Sequence, residues 1–483
     1  MNYLRGQFML ERHTLGSVPS HDQITIPDRL DKILRGDRAV HAAVTLTIAD
    51  FEIWFQDNKL VFFPEYTDHG PKHVREVIET SASLIRDEAW PALSADDVAA
   101  LVLASLLHDC AMHLNEDGFV SIVTGKYTSD STLPSDVPWP TLWSLYLAEA
   151  SRFDGRTLVR LFGDSQKPRR PPEDWLDWTR RDRLLIGDFL RRHHPRLAHE
   201  IAMWGVPGPG TDRLRLKEVP DRLRYVSGLI ARSHGVDLRR ATDLLPSDER
   251  REYAHVHAPF VMGVLRIADY IQIHSMRAPG QLLLVRSLRS PVSHDEWGAH
   301  RAIEAVNATH DDPEALFVKA TPATAAQFVK LRRLLDSIQL ELDATWAVVG
   351  EVYGLIPSLS NLGLTVRRIR SNLDDIKAFA ATVPYLPRLL RFDTAGADLL
   401  KLLVGPLYGA NPAIGIRELV QNAVDATRER RDLGQLELPA PTAVEIDLNL
   451  EAEQPTLTVS DSGVGMDSDV IANYFLLAGN SWQ

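Results

Sequence analysis

Apolar residues crowd one stretch of this chain. From Leu101 to Met112 it reads LVLASLLHDCAM, and the run from Val98 to Leu107 is hydrophobic on nearly every face. That is the pattern of a helix buried inside a domain, not one lying on its surface. Ser94, with Asp97 three residues on, supplies a start signal ahead of it. The run ends in adjacent His108 and Asp109, and an ionisable pair at a buried helix end is costly unless paired, hydrogen-bonded or on a metal. A capping Asp beside a satisfied core His is the plainer alternative.

The same pattern divides the rest of the chain. Residues 1–60 read as a helical lead-in, through DRLDKILRG and AVHAAVTLTIADFEIWFQDNKL. Residues 61–285 read as a mostly helical domain with breaks at TSDSTLPSDVPWP, GDSQKPRRPP and GVPGPGTD. Residues 286–371 form a connector in which short β-like pieces such as LLLVRSL lead to a long helix from about Thr324 to Val349. Residues 372–483 switch to helices followed by two strands, TAVEIDLNL and TLTVSD, an α/β unit.

Composition narrows the class. A chain of 483 residues carries a prior of about three domains, and 45% hydrophobic with 24% charged residues is ordinary for a globular protein. The net charge of -12 disfavours a phosphate-backbone footprint, although a local basic patch would still permit nucleic-acid binding. The single cysteine, Cys110, excludes an intramolecular disulfide and suits a reducing cytoplasm. No run of about 18 apolar residues is present, so no membrane span is expected.

Other residues answer to the His108–Asp109 pair. In HVREVIETSASLI, His73, Val77, Thr80 and Leu84 form one helical row beginning after Gly70 and Pro71. Asp269 lies within the apolar FVMGVLRIADYIQI, sharing a face with Leu265, Ala268 and Gln272. Pro195 predicts a helix break immediately after His193 and His194. His234 ends DRLRYVSGLIARSHG, with Gly235 as its stop.

The order His, His-Asp, one or two His, Asp resembles the HD superfamily of metal-dependent phosphohydrolases. The resemblance covers roughly residues 60–285 and implies a helical domain in which His73, His108, Asp109 and Asp269 bind a divalent cation. Asp109 would be central to catalysis, bridging a second ion, with His194 and His234 as the further ligands. Imidazole and carboxylate donors suit Mn, Fe, Co, Ni or Zn, as one or two ions. Such a site generates hydroxide near neutral pH and polarises a phosphoryl oxygen. A nucleotide or cyclic nucleotide is the expected substrate. His69, Lys72, His193 and Arg232 are candidate substrate contacts. Arg75, Arg191, Arg192, Arg196, Arg266 and Arg277 also lie near the ligands in sequence, each read more readily as a solvated surface residue.

A second constellation lies in IGIRELVQNAVDATRERR, where Glu418, Asn422 and Asp425 line one helix face at i, i+4 and i+7. Downstream, TLTVSDSGVGM runs a strand into a glycine turn with Asp461, Gly463 and Gly465. RELVQNAVDA and DSGVGM resemble the N box and first glycine box of the GHKL ATPases, in their heat-shock-chaperone branch. The resemblance implies an α/β Bergerat-type sandwich that binds ATP and Mg and a homodimer. Glu418 would be the general base, Asn422 the ligand of the ATP-bound Mg, Asp425 a supporting group and Asp461 the reader of the adenine amino group. Gly463 and Gly465 would line the pocket. The chain stops at Gln483, just past Gly479 and Ser481, before the lid and second glycine box. The sandwich is therefore expected to be C-terminally incomplete, as in a fragment of a longer protein.

The combined expectation is a metal-dependent phosphohydrolase gated or sensed by a chaperone-like ATP module, a pairing that by association suits a stress or bacterial self-defence role. The rivals are an ATP-driven switch whose HD-like domain is not catalytic, and an HD-type nuclease on single strands.

Overall fold

The computed structural model describes residues 23–57, 60–63, 69–128, 132–273, 291–309, 311–387, 412–434, 443–450, 456–471 and 475. The chain divides into two units, Met1–Pro387 and Arg388–Gln483. The LLLVRSL piece, Arg277, Gly479 and Ser481 lie outside the described residues.

The first unit is mainly helical. Its helices begin with α1 (Asp28–Leu34), α2 (Arg38–Asp57), α3 (Pro71–Leu84), α4 (Ala95–Leu107), α5 (Glu116–Val123) and α6 (Trp139–Ala150). They continue with α7 (Gly155–Phe162), α8 (Arg180–Trp204), α9 (Asp221–Ser233), α10 (Leu238–Thr242), α11 (Ala258–Tyr270) and α12 (Pro291–Ala302). The apolar run is α4, whose residues from Asp97 to Leu107 are all buried. It packs against α1, α2, α3, α8, α9 and α11, and each fully buried Leu or Val contributes roughly 1.5–3 kcal/mol. Ser94 and Asp97 close a reciprocal capping box at its start. The Asp97 carboxylate goes further, accepting the His257 main-chain N–H at 2.6 Å and facing His257 Nδ1 at 3.0 Å.

After α12 come β1 (Ile303–Ala308), β2 (Ala315–Ala320), the long α13 (Ala325–Tyr353), β3 (Arg368–Ser371) and the short α14 (Ile376–Ala380). β1 pairs antiparallel and β2 parallel to its neighbour, giving the order β1-β2-β3. Thr324 caps α13 by accepting the Gln327 N–H. α13 packs on α11 and α10.

α8 departs from the sequence expectation. Instead of breaking after His194, it runs unbroken through Pro195 for 25 residues. The carbonyl that proline leaves without its i+4 donor is that of Arg191, and His194 Nδ1 fills the place at 2.7 Å.

In the second unit, α15 (Pro412–Asp432) packs on a two-stranded antiparallel sheet of β4 (Val444–Asn449) and β5 (Thr456–Asp461), with Val444 opposite Asp461. A single turn, Ser468–Val470, follows. Ile446 and Leu448 on β4 remain exposed, so the described elements form a helix on a hairpin and not a closed sandwich. Among the described residues no single helix is long and apolar enough to cross a membrane.

Candidate metal centre

Five elements converge beside the end of α4. His73 comes from the first turn of α3, His108 from the C-cap of α4 and Asp109 from the residue after it. His194 comes from mid-α8, His234 from the C-cap of α9 and Asp269 from the last turn of α11. Ligand atoms of His73, His108, Asp109 and Asp269 all lie within 4.8 Å of one another, and so do those of Asp109, His194 and His234.

Asp109 belongs to both groups and turns one oxygen to each. Its Oδ2 lies 3.2 Å from His108 Nε2 and 3.6 Å from His73 Nε2, whereas its Oδ1 lies 3.3 Å from His194 Nε2. Asp269 Oδ1 closes the first group, 3.4 Å from His73 Nε2 and 3.7 Å from His108 Nε2.

Three of the imidazoles are oriented in the same way. The Nδ1 atoms of His108, His194 and His234 meet the carbonyls three residues back, Ser105 at 2.8 Å, Arg191 at 2.7 Å and Ala231 at 2.5 Å. A carbonyl only accepts, so Nδ1 carries a proton and Nε2 is the atom each ring turns inward. Each of those carbonyls is available for a reason visible in the helix: Ser105 and Ala231 sit in final turns, and Arg191 is four residues before Pro195.

The consequence is a crowd of acceptors. His194 Nε2 and His234 Nε2 stand 2.8 Å apart, and the buried Nε2 atoms of His73 and His108 face the Asp109 and Asp269 carboxylates at 3.2–3.7 Å. Lone pairs and carboxylates facing one another repel unless a cation or a proton sits among them. The donor set thus fits one or two divalent cations of the transition series.

The ionisation behaviour reflects the same crowding. Burial opposes charge on His108, but the Asp109 charge and the bonds to Asp109 and Asp269 outweigh it and hold the imidazole well above its usual range. Burial likewise opposes ionisation of Asp109 and Asp269, yet His108 and the neighbouring histidines keep both well below the carboxylate range. His234 is pushed down to about 4 by burial, then by His194 and His108.

The remaining candidates divide. His69 reaches the rim, its Nε2 4.0 Å from Asp109 Oδ2 and its carbonyl facing His113 Nε2 at 2.9 Å. Lys72 lies 4.0 Å from Glu76 on α3. His193 turns onto Phe189 and Trp139 instead of joining His194, and burial with Arg196 and Arg192 pushes it down to about 4. Arg232 gives its fork to Asp136, at 2.6 and 2.8 Å. Arg266, read as a solvated residue, is buried in an ion pair with Glu341. His113, read as a core or surface histidine, is buried, whereas sequence reasoning passed over Asp136 and the role of Pro195. A histidine directly before a proline inside a helical pattern was the available signal for the last.

In the second unit Glu418, Asn422 and Asp425 lie on the exposed side of α15. Arg417 reaches Glu418 at 2.8 Å and Gln421 reaches Asp425 at 3.1 Å. Asp461 Oδ1 accepts the Gly463 N–H at 2.8 Å. A β-carbon on Gly463 would stand 2.5 Å from Ala426 Cβ and 2.6 Å from its carbonyl carbon, so only glycine lets the turn lie against α15. Gly465 adopts φ +70°, in the left-handed region.

The chain is 45% identical over 83 residues to the chaperone protein HtpG of Gluconobacter oxydans (strain 621H), covering 17% of this chain and 13% of that protein. HtpG of Streptomyces coelicolor matches at 37% over 94 residues, 19% of this chain and 14% of the relative. The chain thus spans 13–14% of the length of these curated relatives. No solved structure matches. The HD-CE family model matches residues 63–344, and with more than half of its length so matched the chain belongs to the HD-CE family.

Proposed function

We propose that the first unit is a metal-dependent phosphohydrolase acting on a nucleotide or cyclic nucleotide, and that the second carries a GHKL-type, chaperone-like ATP-binding module that gates it. The observation that carries the first part is the division of Asp109, one oxygen toward His73 and His108 and the other toward His194. A single carboxylate so placed is built to join two cation sites.

His73, His108, Asp109 and Asp269 would hold one cation, and Asp109, His194 and His234 the other. Bound there, divalent cations supply Lewis acidity that activates water near neutral pH and polarises a phosphoryl oxygen. The chain's own part is orientation. Carbonyl contacts at Nδ1 lock His108, His194 and His234 with Nε2 facing inward, so no rotamer search precedes binding. His69, at the rim and 13% exposed, is placed to contact the substrate phosphate or pass it a proton. For the second unit, the partial identity to HtpG supports ATP binding through Glu418, Asn422, Asp425, Asp461, Gly463 and Gly465, with Mg.

Purified protein supplied with Mn should release phosphate from, or open, at least one member of a nucleotide panel, at a rate that changes when ATP is added. His108→Ala combined with Asp109→Ala should abolish the activity, and activity persisting in that variant would refute the assignment. The likeness to HtpG also favours a second reading, an ATP-driven switch whose HD domain is not catalytic. A chain that purifies without transition metal and takes up none from excess Mn would select it.

A further inference from the structure

Arg266 occupies α11 one turn before Asp269, and its side chain is 3% exposed. Nε and Nη2 donate to the two carboxylate oxygens of Glu341 on α13, at 2.5 and 2.9 Å. Nη1 reaches the other way, donating to the carbonyls of Ser233 and Val236, the latter at 2.6 Å. Those two carbonyls flank His234. One buried guanidinium therefore joins the helix that carries Asp269, the end of the helix that carries His234, and the long helix α13.

The three attachments are not equivalent. Asp269 is held by its own helix, where Val264, Leu265, Ile267 and Ala268 are fully buried. His234 is a C-cap, at the place where helical carbonyls run out of N–H partners. Its turn is closed by the Val236 N–H to the Ser233 carbonyl at 3.2 Å and the Gly235 N–H to the Arg232 carbonyl at 3.3 Å. What ties that turn to the rest of the fold is the Arg266 clasp on one side and the contact of Gly235 with the Pro195 ring on the other. An arginine fork suits the clasp because it presents several donors in one rigid plane, which a lysine cannot do.

We propose that Arg266 is a positioning residue that transmits the placement of α13 to His234, so that Glu341, which is no metal ligand, controls the affinity of the Asp109, His194 and His234 site for its cation. This rests on the two-cation reading above. A buried guanidinium deprived of Glu341 must find other acceptors, and in doing so it releases the Ser233 and Val236 carbonyls.

The test is a Mn titration of the full chain by calorimetry and electron paramagnetic resonance, comparing the parent with Glu341→Leu and Glu341→Gln. In Glu341→Leu, one Mn should bind at least tenfold more weakly and the exchange-coupled two-Mn signal should vanish, while the other Mn stays within threefold of the parent. Glu341→Gln keeps acceptor oxygen toward Arg266 and should hold both affinities within threefold. Should Glu341→Leu not fold, Arg266→Lys replaces it, with the same selective loss expected. Equal weakening of both sites in a folded variant, or retention of both, overturns the proposal. A parent that binds fewer than two Mn overturns the two-cation reading and this inference together, whereas a two-Mn parent with unaltered variants overturns this inference alone.

Discussion

His194 Nε2 and His234 Nε2 stand 2.8 Å apart while each ring gives its Nδ1 proton to a main-chain carbonyl. Two imidazole nitrogens at this distance, each ring already turned to a carbonyl through Nδ1, repel unless a shared proton or a cation lies between them, and the group they form with Asp109 could hold a metal ion. Replacing His234 by Ala should lower the Mn content of the loaded protein by one ion, leaving the ion held by His73, His108, Asp109 and Asp269. Elemental analysis after gel filtration reads the difference, and an unchanged metal content would show that the pair is not a ligand set.

Pro195 contributes to the same pair indirectly. Pro195→Ala removes a ring that costs a helix interior up to about 3 kcal/mol and returns an N–H that competes with His194 for the Arg191 carbonyl. We expect thermal stability to hold or rise while the affinity for the second ion falls roughly tenfold. Stability and affinity moving in the same direction would contradict this account.

Gly235 has no positive φ; its service is proximity. A β-carbon there would stand 2.7 Å from Pro195 Cβ, so Gly235→Ala should cost about 1–3 kcal/mol in urea unfolding. Most of that cost should vanish in the Pro195→Ala background, a coupling of roughly 0.5–3 kcal/mol. Additive costs would mean that the two residues do not act on each other.

His199 sets a pH dependence away from the cation sites. Burial, then the charge of Arg232, push it down to about 3, with Asp136 opposing. The folded state therefore keeps it neutral, whereas the unfolded chain takes up its proton near pH 6.5. Its contribution to stability is complete above about pH 6.5 and is lost at about 1.4 kcal/mol per pH unit as the pH falls toward 3. His199→Met should flatten the stability profile between pH 6.5 and 4 by about that slope in urea unfolding. Parallel profiles for parent and variant would contradict the assignment.

Gly463 offers a check on the second unit. Gly463→Ala forces the turn away from Ala426, and the thermal shift produced by Mg and ATP should disappear in the variant while the unfolding of the first unit is unchanged. A preserved shift would exclude this turn from the nucleotide site.

The sequence by itself determined where the long apolar helices lie and which residue types are anomalous in them. α4 was legible because its apolar side chains cover every face, and His108, Asp109 and Asp269 stood out because charge at the end of, or within, such helices needs a partner. Local start signals such as Ser94 with Asp97, and Thr324 before α13, act over three residues and are equally readable. What only the tertiary structure decided is partnership between residues tens of positions apart, up to 96 in the case of Arg232 and Asp136. That Arg232 is consumed by Asp136, that Arg266 is buried between Glu341 and the end of α9, and that His193 meets Trp139 of α6 all depend on elements brought together by packing. The helix through Pro195 is the clearest case. Local backbone preference predicts a break there, and the fold overrides it because an imidazole supplies the missing hydrogen bond and a neighbouring glycine makes room for the ring.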